Sequence, residues 1–173
     1  WLIDQYYQKR SGINADAVAN VIREAEGQAE SISSSITSEG SILRIGVWHH
    51  PVSGGESAMT DTDFIENLRK NGVRIGIHGD VHELRRDVMG YWRSDSIYII
   101  GGGSFGSLNE GLPAATPRLY NVIEINRDLH KIRVHTRYQE KFNGSWEGWN
   151  RWDRLDGQGG GLPYYDVDLY KHL

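Results

Sequence analysis

The chain of 173 residues contains no cysteine. Disulfides and thiolate ligands are thereby excluded, and any bound metal must be held by His, Asp, Glu, Asn or water. Proline is scarce at four, against 21 glycines, so tight turns fall to glycine. No apolar run approaches the roughly 20 residues that a membrane-spanning helix needs, and no membrane partner is expected. Charge of one sign is also lacking: 19 Lys and Arg stand against 23 Asp and Glu, a net charge of -4. That balance gives no support for broad binding to nucleic acid or an anionic membrane, and leaves a local basic cleft open. The first residue is not Met. Trp1, Leu2 and Ile3 read as the middle of a domain, and a fragment or processed chain is expected. No signal-like segment opens the sequence. The absence of cysteine does not settle the compartment, and the cytoplasm is the default expectation.

What is present has a clear periodicity. Asn14 is a good helix N-cap. After it Val18, Val21, Ile22, Ala25, Ala29, Ile32 and Ile36 recur at three- and four-residue steps, predicting one apolar stripe on a helix of about five turns. A Ser-rich linker follows. Ile42 to Trp48 then reads as a short buried strand, bounded by Gly40 and Pro51. A second helix is predicted from Thr60 to Asn71, capped by Thr60 or Asp61, with Phe64, Ile65 and Leu68 inward and Asn71-Gly72 closing it. Val73 to His78 and Ile97 to Ile100 are further strands. Leu119–Ile125 and Lys131–Gln139 form a hairpin about Asn126-Arg127-Asp128. The order predicts a mixed α/β or α+β layered domain. From Phe142 the chain is rich in Trp, Gly and Asp, and residues 153–173 are expected to be a Gly-rich covering segment or flexible tail. The tryptophans at 146, 149 and 152 are expected to cover the core, with contact to a partner or a base as alternatives.

Four of the seven histidines lie in two short stretches, VWHHPVSGG from Val47 and IHGDVHE from Ile77. Each stretch starts where a strand stops. Ligands of open α/β sheets collect at the carboxyl ends of strands, so His49, His50, His78, Asp80 and His82 are candidates to converge. A metal site, a general-base site or plain packing all fit this pattern. Glu83, Arg85 and Arg86 read as a solvated charged turn, and His130, His135 and His172 as structural or exposed. The GGGSFG run from Gly101 is a tight turn past a strand, or a backbone cradle for phosphate.

The set in order resembles the C-terminal half of the calcineurin-like metallophosphoesterases of bacterial type: HHP after a strand, a helix, HGDVHE after the next strand, a GSFG turn, then RLYNVIEI. The resemblance runs to about Trp152, so residues 1–152 would be the C-terminal half of such a domain. It implies a two-sheet sandwich flanked by helices. It also implies hydrolysis of a phosphate monoester or diester at two divalent ions, Mn first, with Fe, Zn or Mg compatible. By the resemblance His49 would ligate the second metal and His82 the first. Asp80 stands where the family usually has another metal-binding His, His78 would orient a ligand from behind, and His50 would face the substrate phosphate or leaving group as the catalytic residue. The family's early motifs, D-x-H, G-D-x-x-D/N and G-N-H-D/E, do not occur before His49. The chain would then supply part of the site, and the missing N-terminal half, on the same or a separate chain, is an expected partner beside a phosphate-ester substrate, nucleotide and nucleic acid included. The alternatives are a non-catalytic interaction or regulatory module on a degenerate phosphoesterase scaffold, and a mononuclear Zn hydrolase using His49, Asp80 and His82.

Overall fold

The computed structural model describes residues 13–33, 43–53, 58–59, 63–79, 81, 84, 86–90, 96–106, 116–154 and 159–169. The Ser-rich linker, the Thr60 and Asp61 caps, Asp80, His82, Glu83, Arg85 and His172 lie outside the described residues.

Helix α1 spans Ala15–Ser33. Its N-terminus is capped as its sequence requires: the Ala17 N–H donates to Asn14 Oδ1 at 2.9 Å. The stripe behaves differently from the expectation. Ile22 is buried and Val18 packs on the core, whereas Val21 and Ile32 are 64% and 60% exposed. The helix meets the sheet with one edge of its apolar face, and the rest of that face is open. Helix α2, Asp63–Lys70, buries Phe64, Ile65 and Leu68. It stops at Gly72, whose φ of +76° is open to glycine and strained for other residues.

The first sheet contains β1 (Arg44–Trp48), β2 (Val73–His78), β3 (Arg86–Met89) and β4 (Ile97–Gly101), in the order β1-β2-β4-β3. The strands β1, β2 and β4 are parallel, and β3 is antiparallel to β4. Strand β3 corrects the sequence reading, which placed Arg86 in a turn. Its residues are exposed or half-buried, so an edge strand of this kind carries no apolar alternation to announce it. The second sheet contains β5 (Arg118–Ile125), β6 (Lys131–Gln139), β7 (Glu147–Gly148) and β8 (Tyr164–Asp168). The hairpin β5–β6 falls where period-two alternation put it. Strand β8 lies in the stretch read as tail: it pairs with Lys131–His135 of β6 and buries Tyr165 and Val167.

Two apolar cores follow. Ile22, Trp48, Phe64, Ile65, Leu68, Val73, Ile97 and Ile99 fill the space between helices and first sheet. Ile75, Ile100, Ile132, Val134, Tyr165, Val167 and Leu169 fill the space between the sheets. Val73 and Ile75 serve different cores although two residues apart, because the β1–β2 register shifts between Arg44 and Ile45. The fold is thus mixed α/β with two facing sheets and helices on the outer side of the first. Among the described residues no helix is long and apolar enough to cross a membrane.

Candidate functional site

The parallel strands end in one row. Trp48 pairs with His78, and His78 pairs with Gly101. Whatever follows these three residues emerges together at the carboxyl edge of the sheet. Trp48 and His78 share the helix-side face, their rings 6.3 Å apart and 23° from parallel. Small residues make room for the indole: a Cβ on Gly46 would stand 3.4 Å from its ring, and one on Gly76 would overlap it.

His49 is the first residue past β1 and is exposed, while His50 is half-buried. Their rings meet edge to face at 4.7 Å. A Cβ on Gly79, the first residue past β2, would lie 3.7 Å from both Nδ1 and the carbonyl oxygen of His49. The Gly79 backbone therefore lies close to His49. Gly102 returns to the same place, its N–H donating to the His78 carbonyl at 2.7 Å. Beyond it the buried Ser104 hydroxyl donates to the Val81 carbonyl at 3.0 Å. The GGGSFG turn is thus tied to His78, the last residue of β2, and to Val81.

His78 has a different role from its neighbour in sequence motif. It is 1% exposed. Its Nδ1 lies 2.9 Å from the Gly79 carbonyl, which makes Nδ1–H the donor, and its Nε2 pairs with no described residue. The side chain is sealed inside the sheet edge and bonds to the backbone of the residue that follows it. That arrangement suits orientation of a loop. The described donors at the edge are then the imidazoles of His49 and His50. Among the described residues no group of three or more His, Asp or Glu is placed to hold a metal. Two imidazoles fall short of the three protein ligands of a catalytic Zn site. These residues alone do not fit a metal centre, and any ligation rests on Asp80, His82 or donors elsewhere.

Sequence reasoning missed the polar strut behind this edge. Asn121 Nδ2 donates to the Gly101 carbonyl at 2.7 Å, the Thr136 hydroxyl donates to Asn121 Oδ1 at 2.8 Å, and Trp152 Nε1 donates to Thr136 Oγ1 at 2.9 Å. The chain of bonds runs from the last residue of β4 through the second sheet to the Trp-rich tail. Its one visible signal is Asn121 and Thr136 standing opposite each other at inward positions of the hairpin. Trp152 covers the core as expected, its ring 4.6 Å from that of Tyr165.

No protein-family profile matches the chain, and no curated protein matches it. Among solved structures, a double mutant and a single mutant of Vps29 from Entamoeba histolytica, a protein of calcineurin-like metallophosphoesterase fold, show a partial likeness. Both have a TM-score of 0.36 and 18% identity, covering 61% and 64% of this chain. The chain spans 44% and 48% of the length of those proteins. Overlap at that level is too slight to bear on activity.

Proposed function

We propose that this chain is a partner-binding module on an incomplete metallophosphoesterase-type scaffold, without phosphoesterase activity of its own. The observation that carries this reading is the uncovered side of β1. Strands of a parallel sheet are normally buried on both faces. Here Val47 is 74% and Ile45 41% exposed, and among the described residues β2 is the one strand paired with β1. Beside them Val18, Val21, Ala25 and Ala29 of α1 complete an apolar trough of about 610 Å³. An apolar surface of this kind marks an interaction site. The partner of matching chemistry is a polypeptide that adds an apolar strand alongside β1. The segment bearing the family's early motifs, on the same or a separate chain, meets that description. The test is hydrolysis of bis-p-nitrophenyl phosphate by the 173-residue chain in excess Mn. The expected rate is that of Mn alone. Turnover that disappears in His49→Ala would overturn the reading.

A second reading is favoured by the closeness of the Gly79 backbone to His49. In it His49, Asp80 and His82 hold divalent metal, Mn first, and His50 lies near the phosphate or leaving oxygen, for hydrolysis of a phosphate monoester or diester. Bound metal would polarise the phosphoryl oxygen and activate water. The residues of this chain would aim the donors: β1 aims His49, and His78 fixes the loop. On this reading Mn binds the chain in calorimetry and His49→Ala weakens it at least about tenfold, a loss of about 1.4 kcal/mol. Equal Mn affinity in both proteins would exclude it.

A further inference from the structure

Three aromatic rings lie apart from both cores. Phe105, at the tip of the GGGSFG turn, is 61% exposed. Its ring stacks on Trp146 at 5.4 Å and 22°, and meets Tyr120 edge to face at 5.5 Å. Tyr120 and Trp146 are 4.7 Å apart at 70°, and both are half-buried. The cluster is held from below. Gly103 adopts a φ of +77°, and the Ser104 hydroxyl is bonded to Val81, so the residue before Phe105 is fixed. A large apolar ring is thereby kept in solvent on a pre-set turn, with its neighbours already stacked. Nothing in the packing of the two cores requires this.

The surroundings are basic. Tyr120 faces Arg137 across the β5–β6 ladder, on the face turned away from the inter-sheet core. Directly opposed side chains of such a pair stand about 5 Å apart. Arg137 is exposed, and Arg118, two residues before Tyr120, is on the same face. Of the acidic groups farther along this face, Glu124 lies 3.1 Å from His135 and Asp166 2.7 Å from Arg133, and the exposed Asp168 stands opposite Lys131. An exposed aromatic stack beside Arg137, which forms no ion pair among the described residues, suits one chemical class, a planar base joined to a phosphate. Base–aromatic stacking is tolerant of base identity and strong when the ring is pre-organised, and Arg pairs with phosphate oxygens.

We propose that Phe105, Trp146 and Tyr120 form a nucleotide-binding platform, on which the base stacks against Phe105 and Trp146 while the phosphate lies over Arg137. The platform sits at the tip of the turn that follows β4, uses neither His49 nor His50 and no residue of the β1 trough, and stands whether or not metal binds.

The test is calorimetric titration of the full chain with AMP, adenosine, ribose 5-phosphate and N-acetyltryptophanamide, without metal. AMP is expected to bind tightest. Phe105→Ala should weaken AMP and adenosine alike, by about 5- to 150-fold, the range of a base–aromatic stack, and Phe105→Tyr should restore both. Arg137→Gln should weaken AMP and leave adenosine unchanged. Unchanged thermal unfolding of Phe105→Ala is expected because the ring is mostly exposed. Failure of AMP to bind, equal affinity for ribose 5-phosphate, equal affinity for N-acetyltryptophanamide, or AMP affinity indifferent to Phe105→Ala would each overturn the proposal. Because no metal is added, none of these results depends on the Mn and His49→Ala experiment.

Discussion

Gly76→Ala probes the packing that aims the site's first strand. A strand glycine replaced by alanine ordinarily gains roughly 0.5–1 kcal/mol, because glycine loses more backbone freedom on folding. The structure predicts the opposite sign here. A Cβ on Gly76 would stand 2.8 Å from Trp48 Cζ3, 3.3 Å from Cζ2 and closer still to Cη2, so the indole must move. It has little room. Phe64 meets it edge to face at 5.4 Å, and Leu68 Cδ1 lies 3.3 Å from where a Cβ on Gly46 would be. Overpacking a core of this kind costs about 1–3 kcal/mol. For a chain of this size that lowers Tm by roughly 2–4 °C per kcal/mol. Scanning calorimetry or urea unfolding of Gly76→Ala reads the loss directly. The reasoning also predicts coupling: with Trp48→Phe already in place, alanine at 76 should cost at least about 1 kcal/mol less than in the native background. Stability of Gly76→Ala within about 0.5 kcal/mol of the native chain, or an equal loss in both backgrounds, would refute the account. Since His49 follows Trp48, the same substitution should also weaken any Mn binding at the sheet edge.

Asn121→Ala removes the middle of the strut from Gly101 to Trp152 and leaves the fully buried Thr136 hydroxyl without its acceptor. The expected loss is about 1–3 kcal/mol in urea unfolding, and an unchanged midpoint would contradict it. Gly103→Ala should cost more than 1 kcal/mol, because φ is +77° and the new Cβ would lie 2.8 Å from the Leu119 carbonyl oxygen. Here the obstacle is backbone, and no side-chain truncation should rescue the variant. Asp166→Asn tests a pH dependence. Hydrogen bonding from the Arg133 guanidinium, helped by Lys131, holds the Asp166 carboxyl at about 2, below its ordinary 3.8. A depressed folded-state pKa stabilises the fold above the unfolded value and ceases to do so as pH falls through the folded one. The stability gap between native chain and Asp166→Asn should therefore be full above about pH 3.8 and shrink towards pH 2. A gap that widens on acidification would reverse the sign.

Most of the architecture was legible where burial imposes a period. Strands β2 and β4 show as apolar runs because both faces are covered, β1 shows as one although Ile45 and Val47 are exposed, and β6 shows as strict alternation because one face is covered. Strand β3 was not legible, since Arg86–Met89 is an exposed edge with Val88 54% in solvent. Strand β8 has alternating Tyr165, Val167 and Leu169, but the glycines before it disguised them as tail. The helical stripe of α1 overstated burial, because periodicity records an apolar face and says nothing of whether a partner covers it.

The sequence by itself determined that two histidine-bearing segments end two strands, that a glycine turn follows a third, and that no thiolate can take part. Tertiary structure alone decided how the histidines divide. Strand β1 stops at Trp48 and β2 at His78, and these two residues pair in register. His78 is therefore the last residue inside its strand, sealed against the indole, whereas His49 is the first residue outside and meets solvent. A one-residue difference in where each strand leaves the sheet separates a structural imidazole from an available one, and register, a property of strand pairing, sets that difference.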